Sequence, residues 1–130
     1  KNEVESCLQC GLCSKKCPDS ALNSSKLIKE RCLSHITQKK GELSKDEIKL
    51  IIEHQTVWGC DVCQQVCPYT QKAIESGSIY SKLEWFNSNI KPIPDEESIC
   101  NENDFPNRAY SWRGRAVILR NINILNGKKQ

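Results

Sequence analysis

Nine cysteines among 130 residues constrain this sequence more than any other feature does. Four of them lie within residues 7–17, with two, two and three residues between them, and a proline follows: Cys7-x2-Cys10-x2-Cys13-x3-Cys17-Pro18. In bacterial iron–sulfur proteins this spacing wraps three thiolates around one [4Fe-4S] cubane and directs the fourth to a second cluster. The motif therefore predicts a [4Fe-4S] site and a neighbouring site that shares its cysteines.

The remaining composition agrees with a domain that is held together by metal. Hydrophobic residues make up 38% of the chain and its mean hydropathy is −0.58, so a thin apolar core is expected. The odd number of cysteines and the charged residues 1–20 argue against a secreted disulfide framework. No run approaches the roughly 18 apolar residues of a membrane helix. These features predict a cytoplasmic protein without a membrane segment, in which clustered cysteines bind metal.

A second, shorter motif repeats the end of the first at residues 60–68: Cys60-x2-Cys63-x3-Cys67-Pro68. Val57 stands where its first cysteine would fall, so this half is one ligand short. In the two-cluster arrangement the last cysteine of each motif ligates the other cluster. One cluster then takes Cys7, Cys10, Cys13 and Cys67, and the other takes Cys17, Cys60, Cys63 and one further residue.

The missing fourth ligand is either Cys32 or Cys100. Cys32 lies between the two motifs at the edge of a predicted helix and is favoured, whereas Cys100 is interpreted as a small buried hydrophobe. His35 and His54 are alternative ligands, but eight cysteines suffice, and both are predicted to be surface or partly packed residues. Zinc is the alternative metal for Cys-x2-Cys pairs. It is disfavoured because it needs only four ligands, and four cysteines followed by proline are unusual for it.

The predicted fold is mainly α with short strands (α+β): a two-[4Fe-4S] ferredoxin-like core followed by a helical C-terminal extension. Residues 1–20 are expected to form a loop around the cysteines, and the proline-rich residues 87–107 to be irregular. Helices are predicted at 26–38, at 44–55 after a Ser44–Glu47 capping box, at 61–66 and at 108–126. The resulting organisation is a cluster domain at 1–75, an irregular linker at 76–107 and a C-terminal helix at 108–130.

The C-terminal helix is predicted to bury a wide apolar face formed by Trp112, Ala116, Val117, Ile118, Leu119, Ile122 and Leu125. It also carries a basic stretch, which comprises Arg113, Arg115, Arg120, Lys128 and Lys129. Two interpretations of the stretch stay open: contact with RNA phosphates, and a solvated helix face or pairing with the helix dipole. The second is favoured because no RNA-binding motif accompanies the basic residues.

Two segments of the sequence resemble the epoxyqueuosine reductase family. Residues 31–37, RCLSHIT, are similar to the family's RCISYLT segment, and residues 58–68, WGCDVCQQVCP, are similar to its GCDxCQxVCP segment. The resemblance covers about residues 6–72 and returns at 119–121, where the sequence is similar to the start of the family's helical repeats. His35 and Tyr69-Thr70 depart from the family's usual tyrosine and tryptophan-asparagine.

This resemblance implies a part of a cobalamin-dependent reductase that converts epoxyqueuosine to queuosine in tRNA, with two clusters that feed electrons to the cobalamin. The family's ligand pattern maps onto Cys7, Cys10, Cys13 and Cys67 for one cluster, and onto Cys17, Cys32, Cys60 and Cys63 for the other. The cobalamin domain precedes the clusters in this family and is not in this sequence. Since the chain also contains no methionine, it is expected to be an electron-transfer fragment that is not catalytic alone. The implied partners are an electron donor such as a ferredoxin or flavodoxin, the cobalamin domain and tRNA.

Two other functions fit the cysteine pattern. The first is a ferredoxin-type electron carrier module of another oxidoreductase, which predicts reversible redox cycling without contact to a corrinoid. The second is a cluster-stabilised RNA-binding domain, which predicts redox-silent clusters and an RNA affinity that falls with salt.

Overall fold

A computed structural model describes residues 6–23, 26–78, 84 and 94–128 of the chain. This described part is mainly helical with one small two-stranded sheet, as the sequence predicts. The α-helices are α1 (Leu12–Lys16), α2 (Leu33–Gln38), α3 (Lys45–Glu53), α4 (Val62–Gln65), α5 (Pro68–Glu75), α6 (Glu96–Cys100) and α7 (Arg115–Leu125). The described elements also include β1 (Leu22–Asn23), β2 (Lys26–Leu27) and short 3-10 helices at Lys29–Arg31, Phe105–Asn107 and Ser111–Arg113. Among the described helices, none is long and apolar enough to span a membrane.

The predicted helix at 26–38 begins only at Leu33. Strand β2 pairs antiparallel with β1 in a hairpin instead. The Ile28 N–H then donates to the Ala21 carbonyl at 2.8 Å, which extends the pairing beyond β2. The backbone donors used in this hairpin are not available to a helix. A 3-10 turn at Lys29–Arg31 follows, and Cys32 is the extended residue between that turn and α2.

Helix α3 confirms the predicted capping box. The Glu47 N–H donates to the Ser44 hydroxyl at 3.3 Å, and the Ser44 N–H donates to the Glu47 carboxylate at 2.7 Å. The Lys39 ammonium donates to the same carboxylate at 2.8 Å. Burial raises the pKa of Glu47, but the hydrogen bonds from Lys39 and Ser44 outweigh burial and hold that pKa below its usual value. The box therefore ties α3 to the end of α2 as well as capping it.

The cysteine motifs contain more helix than the sequence predicts. The turns predicted at 61–66 form α4, but α1 lies in a region predicted as loop, and α5 is an element that the sequence analysis missed. Pro68 occupies the first position of α5, where its missing N–H costs no helical hydrogen bond. A turn follows the equivalent Pro18, so the Cys-Pro pair alone does not predict a helix.

Helix α7 lies at the centre of the described core. It supplies Ile118 and Ile122 to one apolar cluster, whose other buried members are Val57, Ile99, Phe105 and Tyr110. It supplies Ile124 to a second cluster, whose other buried members are Leu33, Ile36, Leu43 and Ile51. Leu125 packs against both clusters. The C-terminal helix thus packs on α2, α3 and α6, while the domain boundaries placed at residues 75 and 107 stay a prediction.

The start of the C-terminal helix differs from the prediction. Gly114, with φ 89°, precedes α7, and the 3-10 turn Ser111–Arg113 lies outside the helix. Trp112 is consequently 65% exposed, although the sequence places it on the buried face. Ala116 is exposed as well.

The segment before α7 is more regular than the sequence predicts. Residues 87–93 lie outside the described residues, but α6 falls within the region predicted to be irregular. The Asp95 carboxylate caps α6 by accepting from the Ser98 N–H at 2.7 Å. Ile99 is fully buried, whereas the next residue, Cys100, is exposed, so the interpretation of Cys100 as a buried hydrophobe is wrong. Successive residues of a helix point about 100° apart, which explains the difference.

The arginines of the basic stretch bind backbone carbonyls at helix ends. The Arg113 Nε donates at 2.8 Å to the carbonyl of the last residue of α2, and the Arg120 Nη1 donates at 2.7 Å to the carbonyl of Lys39. The Arg115 Nε donates to the Ile99 carbonyl in α6 at 2.9 Å. The last carbonyls of a helix lack partners within it and attract cations. The favoured interpretation as a solvated face is therefore wrong for these arginines, which pair with the ends of α2 and α6 and not with that of α7.

Arg120 is a partly buried member of the basic stretch. Burial lowers its pKa, and its Nε also donates to the Asn121 side-chain oxygen at 3.1 Å. Lys128, in contrast, lies 3.7 Å from Glu96 in an exposed ion pair. Lys129 lies outside the described residues.

We expect Ser44→Ala to lower the free energy of unfolding by about 1 kcal/mol, because the Glu47 N–H then loses its partner at the start of α3. Ser44→Thr keeps the hydroxyl and is the matched control. Thermal unfolding followed by circular dichroism under anaerobic conditions measures both. An equal loss for the two substitutions would show that the capping bond does not stabilise α3.

We expect Arg120→Ala to lower the free energy of unfolding by about 2 kcal/mol, because it removes charged donors from carbonyls at the end of α2. Lys128→Ala removes an exposed charge from the same stretch and should leave unfolding nearly unchanged. The same thermal measurement compares them. A wild-type midpoint for Arg120→Ala, combined with weakened RNA binding, would contradict the structural role.

Candidate iron–sulfur centre

The two cysteine motifs fold into similar shapes. In the first motif, Cys13 lies within α1 and Cys17 directly follows that helix. In the second motif, Cys63 lies within α4 and Cys67 is the residue before α5. Helix α1 packs against α4, so the two motifs face each other.

A cavity of about 290 Å³ lies between the motifs. Four of its lining residues are the cysteines of the first predicted ligand set: Cys7, Cys10, Cys13 and Cys67. The lining is otherwise largely apolar and includes Leu8, Leu12 and Tyr69, and Cys63 also reaches it. Folding therefore brings Cys67 beside three thiols from the start of the chain.

The loop around Cys7 is curved and held against the second motif. Gln9 has φ 51° and Gly11 has φ 71°, both in the left-handed region. The Gln9 N–H donates to the Cys7 sulfur at 3.4 Å. The Tyr69 hydroxyl donates to the Ser6 carbonyl at 3.0 Å and so joins the end of the second motif to the start of the first. Hydrogen bonds to cysteine sulfur are among the features that set the reduction potential of a cluster.

The cysteines of the second predicted set are all partly buried: Cys17, Cys32, Cys60 and Cys63. Burial raises the pKa of the Cys63 thiol, and the charges of Cys60 and Cys17 raise it further. Cys60 and Cys17 therefore both lie near Cys63. Cys60 also packs against the apolar cluster that contains Leu33, the residue next to Cys32. Cys60 thus lies near the start of α2.

An ion pair links the two ends of the hairpin that separates Cys17 from Cys32. The Arg31 Nε donates to one Asp19 carboxylate oxygen at 3.1 Å, and Nη2 donates to the other at 3.3 Å. The hydrogen bond and charge of Asp19 raise the pKa of Arg31, and the nearby Cys17 contributes to the rise. Exposed ion pairs stabilise a fold little. The effect of this pair is to hold together the two ends of the segment between Cys17 and Cys32.

A buried polar network that the sequence did not predict lies beside Cys60 of the second set. Thr37 in α2 and Asn121 in α7 are both fully buried. The Gly59 N–H donates to the Thr37 hydroxyl at 3.0 Å. The Asn121 amide donates to the carbonyls of Thr37 and Val57, each at 2.8 Å. The sequence does carry one signal of this network, because Asn121 is a polar residue in the middle of a predicted apolar helix face. A polar residue at a buried position usually has a specific hydrogen-bonding role.

The chemistry of the donor set fits iron–sulfur clusters. All nine cysteines are free thiols. Within the described residues, no group of three or more His, Cys, Asp or Glu surrounds one point as a single metal ion requires. A cubane makes a different demand, because each of its four thiolates binds a separate iron. The four soft thiols from Cys7, Cys10, Cys13 and Cys67 that line the first cavity can meet that demand.

The two histidines lie apart from the first cavity. His35 is exposed on α2. His54 lines a second cavity, of about 250 Å³, together with Trp58 and Cys60. The structure therefore brings one histidine near a cysteine of the second set, whereas the other faces solvent.

The sequence matches the model of one protein family, the 4Fe-4S double cluster binding domain, over residues 6–70. The epoxyqueuosine reductase of Lactococcus garvieae is 37% identical over 124 residues, which cover 89% of this chain and 33% of that protein. The epoxyqueuosine reductase of Listeria monocytogenes is 33% identical over 124 residues, which cover 92% of this chain and 32% of that protein. The chain thus spans about a third of the length of these relatives.

Solved structures of epoxyqueuosine reductases share the fold. The structure from Streptococcus thermophilus matches 96% of this chain and 33% of its own, with a TM-score of 0.67 and 30% identity. An epoxyqueuosine reductase with a tRNA-Tyr epoxyqueuosine-modified stem loop matches 94% of this chain and 33% of its own, with a TM-score of 0.68 and 28% identity. The family match at residues 6–70 contains all eight cysteines of the two predicted ligand sets. The chain therefore belongs to the family of 4Fe-4S double cluster binding domains.

Proposed function

We propose that this chain transfers electrons through two [4Fe-4S] clusters with the following ligands. The first cluster takes Cys7, Cys10, Cys13 and Cys67, and the second takes Cys17, Cys32, Cys60 and Cys63. The observation that carries the assignment is the cavity between the motifs, which all four cysteines of the first set line. The second site is supported by Cys17 and Cys60, which lie near Cys63, and by the packing of Cys60 against the cluster that contains Leu33, the neighbour of Cys32.

The arrangement corresponds to a ferredoxin-like core, in which each motif gives its last cysteine to the other cluster. Since α1 packs against α4, the two motifs would hold both clusters within one small domain. Each cluster supplies one-electron redox chemistry, and the chain sets its potential through burial and hydrogen bonds to sulfur. The Gln9 N–H that points at the Cys7 sulfur stabilises added negative charge there and favours the reduced state.

The two sites differ in their access to solvent. Cys7 and Cys10 of the first site are exposed, whereas all four cysteines of the second site are partly buried. Leu8 is 57% exposed and Leu12 is 37% exposed, so the rim of the first site is apolar. An apolar rim beside an exposed cluster is suited to a partner that exchanges electrons at close range.

We propose further that this partner is the cobalamin domain of a reductase that acts on epoxyqueuosine in tRNA. The relatives that match about 90% of this chain are epoxyqueuosine reductases, and one was solved with an epoxyqueuosine-modified stem loop. A ferredoxin or flavodoxin then supplies the electrons, and the reaction takes place in the cytoplasm. In this proposal the chain is the electron-transfer part of an oxidoreductase.

The basic stretch gives little support to the RNA-binding alternative. The guanidinium groups of Arg113 and Arg120 are used by carbonyls around the end of α2. Arg115 is paired with Glu102 at 3.1 Å and lies over the Phe105 ring at 4.7 Å. Phosphate contacts would have to displace these interactions.

Anaerobically purified protein is expected to contain about eight iron and eight acid-labile sulfide per chain, with signals from two reduced cubanes in electron paramagnetic resonance (EPR). Cys32→Ala should remove the second cluster and leave about four of each. Cys100→Ala, the matched control, should retain both clusters, since Cys100 is exposed outside the two sets. Loss of a cluster in Cys100→Ala but not in Cys32→Ala would refute the assignment, and stoichiometric zinc without sulfide would refute both clusters.

A graft tests the activity of the whole protein. Replacing the matching third of the Lactococcus garvieae enzyme with this chain should give a hybrid that reduces epoxyqueuosine in a tRNA stem loop. The same hybrid with Cys32→Ala should lose at least about 90% of that activity, because electrons no longer pass through the second cluster. A hybrid that holds about eight irons and its cobalamin but does not reduce epoxyqueuosine would favour a carrier that serves another oxidoreductase.

A further inference from the structure

A hydrogen bond joins the two elements that place Cys32 and Cys60. Cys32 is the residue directly before α2, and Thr37 lies one turn further along that helix. Gly59 is the residue directly before Cys60, and its N–H donates to the Thr37 hydroxyl at 3.0 Å. Cys32 and Cys60 are 28 positions apart in sequence. Local structure therefore does not fix the distance between α2 and the loop at Gly59, whereas this hydrogen bond does.

The Thr37 hydroxyl both donates and accepts a hydrogen bond. The hydroxyl donates its own hydrogen to the Ser34 carbonyl at 3.1 Å, so an oxygen lone pair faces the Gly59 N–H. Thr37 is fully buried, and water cannot replace the hydroxyl as a partner. Gly59 has φ 70°, a left-handed conformation that suits glycine.

Asn121 adds a second connection between the same two elements. Its amide nitrogen donates to the Thr37 carbonyl in α2 and to the Val57 carbonyl in the loop before Cys60, each at 2.8 Å. Its side-chain oxygen accepts from the Arg120 guanidinium at 2.9 Å. Every polar atom of this buried amide is therefore used, and the loop is tied to α2 at two points.

Cys60 needs such support more than its neighbour Cys63 does. Cys63 lies within α4, whose backbone hydrogen bonds fix its position. Cys60 lies in the loop between α3 and α4, where no regular element fixes the backbone. Groups that orient metal ligands without touching the metal commonly change metal affinity by one to two orders of magnitude when they are removed.

We propose that Thr37 is a positioning residue for the second cluster, and that with Asn121 it holds Cys32 and Cys60 at the separation that one cubane requires. This inference rests on the proposed ligand assignment. Neither side chain is a ligand in that assignment, and neither lines the cavity of the first site. The network therefore controls one cluster and leaves the other unaffected.

The test compares Thr37→Val with Thr37→Ser in the full chain. Valine keeps the shape of threonine and removes the hydroxyl, whereas serine keeps the hydroxyl. The measurements are iron content, the EPR signals of both reduced clusters, their midpoint potentials, and the rate of iron release to a chelator. Cys32→Ala and Cys7→Ala, which each lack one cluster, provide the reference signals for the second and first sites.

Thr37→Val should release the iron of the second cluster on the order of 10-fold faster than the wild type and shift its midpoint potential or EPR signal. The first cluster should keep its wild-type signal and potential, and Thr37→Ser should behave as the wild type. A Thr37→Val protein with unchanged release and potentials would overturn the proposal. Equal weakening of both clusters would also overturn it, because it would show a general effect on stability.

Asn121→Asp provides a second variant if Thr37→Val does not fold. Aspartate keeps the shape and the contact with Arg120 but removes the two amide donors, so the same selective loss at the second cluster is expected. Equal loss at both sites, or no loss, contradicts the proposal. If the wild type itself lacks two cubane signals, or if Cys32→Ala retains both, the ligand assignment fails independently of Thr37.

Discussion

The carbonyl end of helix α2 depends on side chains from the C-terminal part of the chain. Three consecutive carbonyls accept hydrogen bonds from residues 75 to 84 positions away: Thr37 from Asn121, Gln38 from Arg113, and Lys39 from Arg120. Helix α2 has only six residues, and a helix this short is not stable in water by itself. Its final carbonyls would otherwise lack partners at a partly buried helix end. The position of Cys32 at the start of this helix therefore depends on residues that carry no cysteine motif.

The net charge of the chain is close to zero when two clusters are bound. The formal net charge is +3 with the cysteines counted as neutral. A [4Fe-4S]2+ core with four thiolates carries about −2, so two of them bring the domain to about −1. Without iron, the second set gathers thiols in a partly buried region, where the pKa of Cys63 is raised and a thiolate is disfavoured. Iron reverses that preference because a coordinating thiol is deprotonated, so cluster binding and folding stabilise each other.

The features that the sequence predicts well are those set by neighbouring residues. The capping box at Ser44 needs only Glu47 three positions later, and it is present as predicted. The apolar spacing of the C-terminal helix likewise identifies Ile118 and Ile122 as core residues. The cysteine spacing indicates the metal for the same reason, because a cubane wrapped by one short loop imposes a local pattern.

The features that the sequence does not predict depend on distant partners. Pairing with β1 diverts the backbone of residues 26–28 from the predicted helix. The arginines of the basic stretch have a charge pattern like that of a solvated face, but Arg113 and Arg120 find carbonyls on another helix. Asn121 stands out in the sequence as a polar residue on an apolar face, but its two acceptors, Thr37 and Val57, can be identified only from the fold.

The two proposed cluster sites consequently depend on the tertiary structure to different degrees. The first takes three cysteines from one continuous segment, residues 7–13, and one from the second motif. The second takes its cysteines from four places: the end of α1, the start of α2, the loop before α4, and α4 itself. A site assembled from four elements keeps its geometry only if those elements are fixed relative to one another, and α7 with its buried Asn121 connects two of them. Metal binding and folding are coupled in such a site. Helix α7 carries no ligand, but it holds the elements of the proposed second site together. In the first site the spacing of the cysteines along one segment does this.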